Sequence, residues 1–360
     1  MTFGACGREG LVGCEGAERG RGGEPGGDLA QDQGQQVDRF HVRAQGATAL
    51  GVGDGFDLGA VGVGLRGAGV GAFELSPGGQ AQDLGLTWFI TGVSSGFGRR
   101  MTELLLARGD HVAATARRPE TLADLAERHG DRLWTAPRDV TDAPAVRRTV
   151  DAAFAALGRI DVIVSNAGYG LFGAAEEVTD EQIAHQIDTN LIGSIQLARA
   201  VIPHLRARGG GRIIQLSGMG GQIAFPALSL YHATKWGIEG FYEALSPEVA
   251  PFGIQTTLVQ PGAATTDFGG RSATAAQAMA VYDAAPVGAL RRAAAAGAIP
   301  VPGDTVKMAR AIIDSADTER APRRLLLGSD AYQAVTTALA ARLTGVEEQK
   351  ELAHSTDTTA

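Results

Sequence analysis

The sequence predicts an α/β fold of the Rossmann type, a doubly wound parallel sheet of about seven strands in a single domain with a disordered N-terminal extension. Two observations support this prediction. Short apolar runs alternate with helical stretches from residue 86 onwards, and a glycine-rich turn follows the first run. Alternating strands and helices with short links give a parallel sheet wrapped on both faces, and ligands bind at the carboxyl ends of its strands.

The elements are predicted from the length and period of the apolar runs. Seven runs suited to strands begin at residues 86, 111, 132, 160, 211, 254 and 323. Helical patterns follow the glycine turn and occupy residues 119–130, 143–157, 180–208, 227–250, 304–316 and 331–343. We therefore assign the domain to residues 86–345, with a mobile, Ala-rich substrate lid around 263–300 and a polar tail at 346–360.

Residues 1–85 differ from the rest of the chain. They hold 24 of the 51 glycines and show neither a helical nor a strand period. Such a segment buries too little apolar surface to offset the entropy of ordering it, so we expect it to be disordered. A further hypothesis is that this extension is not natural coding sequence but the product of a start site chosen too far upstream.

Composition argues against several classes of partner. The formal net charge is −8 and no basic tract is present, which makes nucleic acid and anionic membranes poor partners. No uninterrupted apolar run approaches the roughly 18 residues of a membrane span. Both cysteines, Cys6 and Cys14, precede the predicted domain, and the seven histidines show no metal-ligand spacing. We expect a cytoplasmic protein without a metal site.

The glycine-rich turn predicts a pyrophosphate site. The chain reads Gly92-Val-Ser-Ser-Gly-Phe-Gly98 after the first strand and continues as a helix. Free backbone N–H groups and the positive end of a helix dipole meet at such a turn, although the spacing differs from the common G-x-G-x-x-G fingerprint. The residues predicted to bind the cofactor here are Gly92, Ser94, Ser95, Gly96, Phe97 and Gly98.

The end of the second strand predicts which dinucleotide binds. About 20 residues after the glycines, an acidic residue would bind the ribose hydroxyls of NAD. This chain has Ala116 and Arg117 there instead. Arginine favours a 2′-phosphate, so NADP is predicted in preference to NAD. The alternative is that Arg117 is only a solvated charge at a strand end.

A hydroxyl, a phenol and an ammonium are predicted to meet at the same edge of the sheet. Ser217 ends the fifth strand, and Tyr231 and Lys235 lie four residues apart, hence on one face of the next helix. A neighbouring ammonium favours the phenolate, so Lys235 is expected to lower the pKa of Tyr231 for acid–base work on an alcohol or ketone. Tyr-x-x-x-Lys also occurs by chance, but three lysines against 29 arginines favour a chemical role for Lys235.

These residues together resemble the short-chain dehydrogenase/reductase family over about residues 86–330. The motifs that carry the resemblance are Thr91-Gly-Val-Ser-Ser-Gly-Phe-Gly98, Asp139-Val140, Ser165-Asn-Ala-Gly168, Asn190, Ser217, Tyr231-His-Ala-Thr-Lys235 and Pro261-Gly262 with Thr266. Seven motifs in this order are far more specific than any one of them. The run at 166–170 and the basic end of the second strand are most similar to NADP-preferring reductases related to retinol and hydroxysteroid dehydrogenases.

The resemblance implies a role for each matched residue. Tyr231 would be the general acid or base, and Lys235 would lower its pKa and hold the nicotinamide ribose. Ser217 would bind the substrate oxygen, and Asn190 would hold a water that links Lys235 to solvent. The other matched residues would contact the cofactor, and they are Asp139, Val140, Asn166, Ala167, Gly168, Pro261, Gly262 and Thr266.

Four positions depart from the family's usual pattern. Ser165 stands where asparagine is frequent, Thr234 where serine is common, Gln260 where an acidic residue is frequent, and Gly218 where a second serine is usual. None of these changes removes a group needed for proton or hydride transfer.

The predicted function is an NADP-dependent oxidoreductase that transfers a hydride between nicotinamide and a small carbonyl or secondary alcohol substrate. The alternative is a non-catalytic NADP(H)-binding redox sensor, which would have no need of a proton donor. The resemblance also implies a homodimer or homotetramer, paired through the long helices around 180–208 and 227–250.

Overall fold

Seven parallel strands form the central sheet of the structure, a computed structural model that describes residues 85–266 and 273–358. The strands in these residues are β1 (Thr87–Thr91), β2 (His111–Ala116), β3 (Leu133–Pro137), β4 (Val162–Ser165), β5 (Gly170–Phe172), β6 (Gly211–Leu216), β7 (Ile254–Pro261), β8 (Ala273–Ala275) and β9 (Arg324–Leu327). The large sheet has the order β3-β2-β1-β4-β6-β7-β9. The predicted fold class is confirmed, whereas the predictions for the N-terminal extension concern residues outside the described ranges, apart from Gly85.

Helices cover both faces of this sheet. They are α1 (Gly96–Arg108), α2 (Ala123–His129), α3 (Ala143–Leu157), α4 (Asp180–Ile187), α5 (Gly193–Ala207), α6 (Ser229–Val249), α7 (Pro286–Ala295), α8 (Thr305–Asp317), α9 (Ser329–Glu347) and α10 (Lys350–Ser355). The end of α9 and all of α10 lie in the segment predicted to be a polar tail. No helix within residues 85–266 and 273–358 has both the length and the apolar character required to cross a bilayer.

Two apolar cores lie on the two faces of the sheet. One packs the sheet against α1 and α8, and the other packs it against α3, α5 and α6. All five residues of β1 are buried, which is typical of a central parallel strand covered on both faces. Representative buried residues of the helices are Leu105 and Ile312 in the first core, and Val150, Val201 and Ile238 in the second.

The strand order reverses between β1 and β4, and the predicted site residues converge on the edge beside this point. Because the strands of the large sheet are parallel, their carboxyl ends share that edge. Gly92, Arg117, Asp139, Asn166 and Ser217 each lie just past the end of a different strand. Ligands of doubly wound sheets bind in the crevice at such a reversal.

The predicted lid contains more regular structure than its weak pattern indicated. β8 pairs in parallel with β5, with Gly170 opposite Ala273, and α7 lies within the lid. Neither strand was predicted, since each has three residues and therefore no period that could be read from the sequence. Mobility of the lid stays a prediction.

The helix predicted over residues 180–208 is interrupted. α4 and α5 are joined by a π-turn at Asp188–Ile192, with Asn190 at its centre. A π-turn accommodates one extra residue within a helix and often marks a functional site. Here it directs a buried asparagine towards the carboxyl edge of the sheet.

Candidate active site

The glycine turn between β1 and α1 has the shape that a pyrophosphate site needs. Gly92 and Gly96 have φ values of 69° and 56°, a left-handed conformation that favours glycine. A Cβ atom on Gly98 would overlap the carbonyl oxygen of Gly92 and lie 2.5 Å from Asn166 Nδ2. α1 has no acidic residue in its first turn, so the positive end of its dipole can serve an anion. The other residues predicted for this turn are exposed or half-buried, namely Ser94, Ser95 and Phe97.

Thr91 and Asn166 join β1 to β4 beside the turn. Thr91 Oγ1 accepts the N–H groups of Asn166 and Ala167 at 2.9 and 3.0 Å. Asn166 Nδ2 donates in return to the carbonyl oxygens of Thr91 and Gly92, at 2.9 and 3.0 Å. Gly168 follows in the chain, and a Cβ on Gly168 would lie 3.2 Å from Asn190 Oδ1. The Asn166 side chain therefore holds the glycine turn in place, a role that the sequence did not predict.

The ends of β2 and β3 carry the residues predicted to bind the adenosine half of the cofactor. Arg117 is exposed directly after β2. Asp139 Oδ1 accepts the N–H and the hydroxyl of Thr141 at 2.9 and 2.7 Å. Burial raises the pKa of Asp139, but the Thr141 hydrogen bonds and the charge of Arg117 outweigh it and the pKa is lowered. The carbonyl oxygen of Val140 packs against Gly193, where a Cβ would lie 2.9 Å away.

Ser217, Tyr231 and Lys235 are brought together at the end of β6. A Cβ on Gly218 would lie 3.5 Å from Tyr231 Oη, so the phenol faces the backbone immediately after Ser217. Lys235 Nζ lies 5.6 Å from the centre of the Tyr231 ring and donates to the carbonyl oxygen of Leu216 at 2.9 Å. The three groups surround one small region at the carboxyl edge of the sheet.

The hydroxyl of Ser217 has no hydrogen-bond partner among the residues that the structure describes. Its oxygen is buried, and the residue as a whole is 4% exposed. A buried polar atom without a partner costs free energy, and in native proteins such atoms are rare. The Ser217 hydroxyl can therefore bind an oxygen atom of a ligand at no cost to the protein's own hydrogen bonds.

Burial dominates the ionisation of Tyr231 and Lys235. It raises the pKa of Tyr231, and it lowers the pKa of Lys235 to about 8 against the opposing charge of Glu239. The expectation of a lowered pKa for the phenol is therefore wrong for this structure, because removal of the phenol from water has a larger effect than any stabilisation of the phenolate by Lys235. At neutral pH the phenol is protonated, and most of the Lys235 side chains carry a charge.

Asn190 connects the exit of β4 to the helix that carries Tyr231. Its Oδ1 accepts the N–H of Tyr169 at 3.0 Å, and its Nδ2 donates to the carbonyl oxygen of Tyr169 at 2.8 Å and to Thr234 Oγ1 at 3.4 Å. Thr234 Oγ1 donates to the carbonyl oxygen of Tyr231 at 2.7 Å. Asn190 thus has a structural role in the site, and the water that it would share with Lys235 stays a prediction.

The end of β7 and the start of the lid lie opposite the glycine turn. Pro261 is the last residue of β7, and a Cβ on Gly262 would overlap the carboxylate of Asp330 at the start of α9. A Cβ on Gly96 would lie 3.6 Å from Thr266 Cβ. Thr266 thus lies beside the glycine turn, and contacts of Pro261, Gly262 and Thr266 with a cofactor stay a prediction.

His232 is a residue of the site that the sequence analysis did not predict. Its Nε2 accepts the N–H of Phe225 at 3.0 Å, so the proton of the neutral ring is on Nδ1, which donates to the carbonyl oxygen of Gly220 at 2.9 Å. Burial lowers the pKa of His232, and the hydrogen bond to Gly220 only partly opposes this effect. One neutral imidazole therefore holds both sides of the loop that follows Ser217.

Glu239 was also missed. Its carboxylate is buried and accepts hydrogen bonds from Gln222 and Gln260. Spacing in the sequence could have identified Glu239, since Tyr231, Lys235 and Glu239 follow one another at intervals of four residues and share a helix face.

Within the described residues, no three His, Cys, Asp or Glu side chains are grouped as they would be around a metal ion.

Comparison with known families gives the same assignment as the geometry. A family model described as short chain dehydrogenase matches residues 87–277, more than half of the 360-residue chain. The chain belongs to the short chain dehydrogenase family. It is an oxidoreductase of that type.

Individual proteins and solved structures resemble the chain over most of their length. Oxidoreductase BOA17 of Botryotinia fuckeliana is 38% identical over 250 residues, which are 68% of this chain and 90% of that protein. The crystal structure of a short-chain dehydrogenase from Streptomyces avermitilis is 38% identical with a TM-score of 0.70, and the match covers 76% of this chain and all of that one. The closed form of serine dehydrogenase complexed with NADP+ is 25% identical with a TM-score of 0.58, covering 67% and 94%.

Replacing Gly98 by alanine tests the glycine turn of this short chain dehydrogenase. Because the new Cβ would overlap the Gly92 carbonyl oxygen, we expect a loss of about 1–3 kcal/mol in the free energy of unfolding. Gly240→Ala is the matched control, since a Cβ on Gly240 of α6 meets no atom within 4 Å and alanine should stabilise the helix by about 0.5–1 kcal/mol. Urea denaturation measures both; equal stability of the two variants would contradict the packing described.

Acid should lower the free energy of unfolding of the short chain dehydrogenase, because His232 becomes protonated more readily in the unfolded chain. The pKa of His232 is lowered in the folded protein, so its contribution to stability is present above the unfolded value of about 6.5 and is lost as the pH falls below it. Part of the decrease in unfolding free energy between neutral and mildly acidic pH should therefore disappear in His232→Asn and persist in His354→Asn, which changes an exposed histidine of α10. The same acid sensitivity in wild type and His232→Asn would refute the interpretation.

Proposed function

We propose that this protein is an NADP-dependent oxidoreductase that interconverts a carbonyl compound and a secondary alcohol, with Tyr231 as the general acid or base. The observation that carries the proposal is the buried Ser217 hydroxyl, which lacks a partner among the described residues and belongs to the residue directly before the backbone that the Tyr231 phenol faces. Two hydroxyl donors on the same short stretch of the site would suit a substrate oxygen whose negative charge increases during the reaction.

The residues present fit a bound dinucleotide. The glycine turn offers backbone N–H groups and a helix N-terminus to the pyrophosphate, and the predicted contacts continue along the edge of the sheet. Asp139 and Val140 would hold the adenine, Asn166 to Gly168 would line the crevice, and Pro261, Gly262 and Thr266 would contact the nicotinamide side. When bound, the nicotinamide supplies or accepts the hydride.

The ionisation of the site supports a reductive half-reaction. A phenol whose pKa is raised by burial is protonated at neutral pH, so Tyr231 can donate its proton to a carbonyl oxygen as the carbonyl carbon is reduced. Ser217 would orient that oxygen, and the Lys235 ammonium would stabilise the phenolate that remains. A non-catalytic redox sensor would leave these donors without a purpose, so the enzyme is favoured.

The choice of NADP is supported by the end of β2. Arg117 is exposed there, and the strand ends without the acidic residue that would bind the ribose hydroxyls of NAD. The relative named serine dehydrogenase was solved with NADP+. We infer further that the chain belongs to the subgroup of NADP-preferring reductases related to retinol and hydroxysteroid dehydrogenases, on the basis of the run at 166–170 and the basic end of the second strand.

Assembly and location stay predictions of the same kind. Ile192 of the π-turn and Trp236 of α6 are large apolar side chains that are 40% and 43% exposed. They lie on the two long helical segments through which a homodimer or homotetramer would pair. We retain the cytoplasm as the predicted compartment.

Tyr231→Phe tests the proposed chemistry. Loss of the proton donor should reduce turnover of ketones and aldehydes by about 10²–10⁴-fold, while NADPH should still bind with unchanged affinity. Tyr242→Phe is the matched control, because Tyr242 lies on the same helix with its hydroxyl buried away from any partner among the described residues, and it should keep full turnover. Turnover of Tyr231→Phe close to that of wild type would rule out the assigned role.

Arg117→Asp tests the proposed cofactor. A hydrogen bond to a charged group is worth about 1.5–3 kcal/mol, so the ratio of kcat/KM for NADPH over NADH should fall roughly tenfold or more. Arg118→Asp changes the next exposed arginine and should leave the ratio near its wild-type value. An unchanged ratio in Arg117→Asp would exclude this residue as the 2′-phosphate ligand.

A further inference from the structure

Glu239 is a buried carboxylate directly behind the catalytic groups, and it is surrounded by donors. The residue is 4% exposed. Gln260 Nε2 donates to its two oxygens at 2.9 and 3.0 Å, Gln222 Nε2 donates at 2.9 Å, and Arg324 Nε lies at 3.2 Å. Four such contacts offset the cost of taking a carboxylate out of water. The charge is therefore held at a fixed place in the protein.

The carboxylate joins three segments that form the site. Gln222 belongs to the loop after Ser217, and Gln260 is the residue before the last residue of β7. Gly221 lies between the Ser217 hydroxyl and the Glu239 carboxylate, since a Cβ on Gly221 would be 2.6 Å from Ser217 Oγ and 2.8 Å from Glu239 Oε1. The loop that carries Ser217 thus packs directly on the carboxylate of α6.

Lys235 is the cation nearest to this carboxylate along α6. It lies one helical turn before Glu239, at a spacing that places two Cβ atoms about 5–6 Å apart. The residue is 7% exposed, and its ammonium donates to the Leu216 carbonyl oxygen. A dipole offsets only part of the cost of burying an ammonium, so the charge of Lys235 needs a further source of stabilisation.

The other ionisable groups around Lys235 and Glu239 do not supply this stabilisation of the Lys235 charge. On α6, Tyr231 is protonated, His232 is neutral, and Glu243 is exposed and pairs with Arg324. Arg324 on β9 and Arg342 on α9, which donates to the carbonyl oxygen of Gln222, are cations. Among the titratable groups that the structure places around Lys235, Glu239 is the buried anion.

We propose that Glu239 is a positioning residue of the active site, whose carboxylate keeps Lys235 charged and fixes the loop behind Ser217 to the catalytic helix. The inference rests on the proposed function for its catalytic meaning, but not for its electrostatic content. Burial alone would release the proton of Lys235 near physiological pH, and a neutral amine would no longer stabilise the phenolate of Tyr231. Glu239 extends the pH range over which the site works.

The small number of lysines makes the proposal measurable without turnover. The chain has three, Lys235, Lys307 and Lys350, so full-length protein labelled with [13Cε]lysine gives three side-chain signals. Lys307→Arg and Lys350→Arg assign them. In Glu239→Gln the titration midpoint of Lys235 should fall by about one to two pH units, the order of magnitude for the loss of a partly buried unit charge one helical turn away.

Glu243→Gln is the matched control. It removes a carboxylate from the same helix and from the same arginine, and it should leave the Lys235 midpoint unchanged. If the only role of Glu239 were its ion pair with Arg324, the two variants would have the same effect on the Lys235 midpoint, because both remove a partner of Arg324. An unmoved midpoint in Glu239→Gln, or an equal shift in Glu243→Gln, overturns the proposal.

Glu239→Asp is the second variant, and it decides the matter if Glu239→Gln does not fold. It keeps the charge while shortening its reach to Gln222 and Gln260, so the Lys235 midpoint should stay near the wild-type value. A fall as large as one pH unit in the Lys235 midpoint of Glu239→Asp would overturn the proposal.

In catalysis, the alkaline limb of kcat/KM for ketone reduction should move to lower pH in Glu239→Gln and not in Glu243→Gln. A shifted midpoint in a protein that reduces no carbonyl compound would refute the proposed function and leave this inference standing.

Discussion

The pairing of β1 with β4 is the constraint on which the site depends. Trp88, Phe89 and Ile90 lie opposite Val162, Ile163 and Val164, and this register brings Thr91 beside Asn166. A slip of one residue would turn Thr91 to the other face of the sheet. The glycine turn would then lose the hydrogen bonds that shape it. The reversal of strand order therefore has a chemical result, because the register of β1 and β4 at this point lets Thr91 bind the backbone that follows β4.

Local patterns were sufficient to predict most of the fold and the position of the main candidate residues at one edge of the sheet. The seven strands are short apolar runs, and the glycine turn, Ser217 and the Tyr231–Lys235 pair each follow from spacing within one or two elements. β5 and β8 could not be predicted, because they exist through pairing between segments about a hundred residues apart. The π-turn at Asp188–Ile192 depends on one inserted residue, which hardly changes a helical pattern. The pKa of Tyr231 was predicted in the wrong direction because burial is a property of the packed structure.

Several buried polar side chains of the site are bound on more than one side by the protein itself. Asn190 is bound on both sides to Tyr169, His232 spans a loop, and Glu239 receives donors from three segments. Networks of this kind specify one arrangement, because a partly satisfied alternative leaves a buried group without a partner. Other buried polar atoms among the described residues, such as Thr189 Oγ1 and Gln215 Oε1, lack a partner as Ser217 Oγ does. What distinguishes Ser217 is that the backbone directly after it, at Gly218, faces the Tyr231 phenol.

The backbone at Gly218 has a consequence for exchanging parts between relatives. Its φ and ψ of 138° and 163° lie in a region that is essentially restricted to glycine. A serine, which is usual at this position in the family, would therefore be strained if it replaced Gly218 alone. Chimeric enzymes that aim to transfer substrate preference should exchange the whole stretch from Ser217 to Gly221, so that the donor's side chains arrive together with a main chain able to carry them.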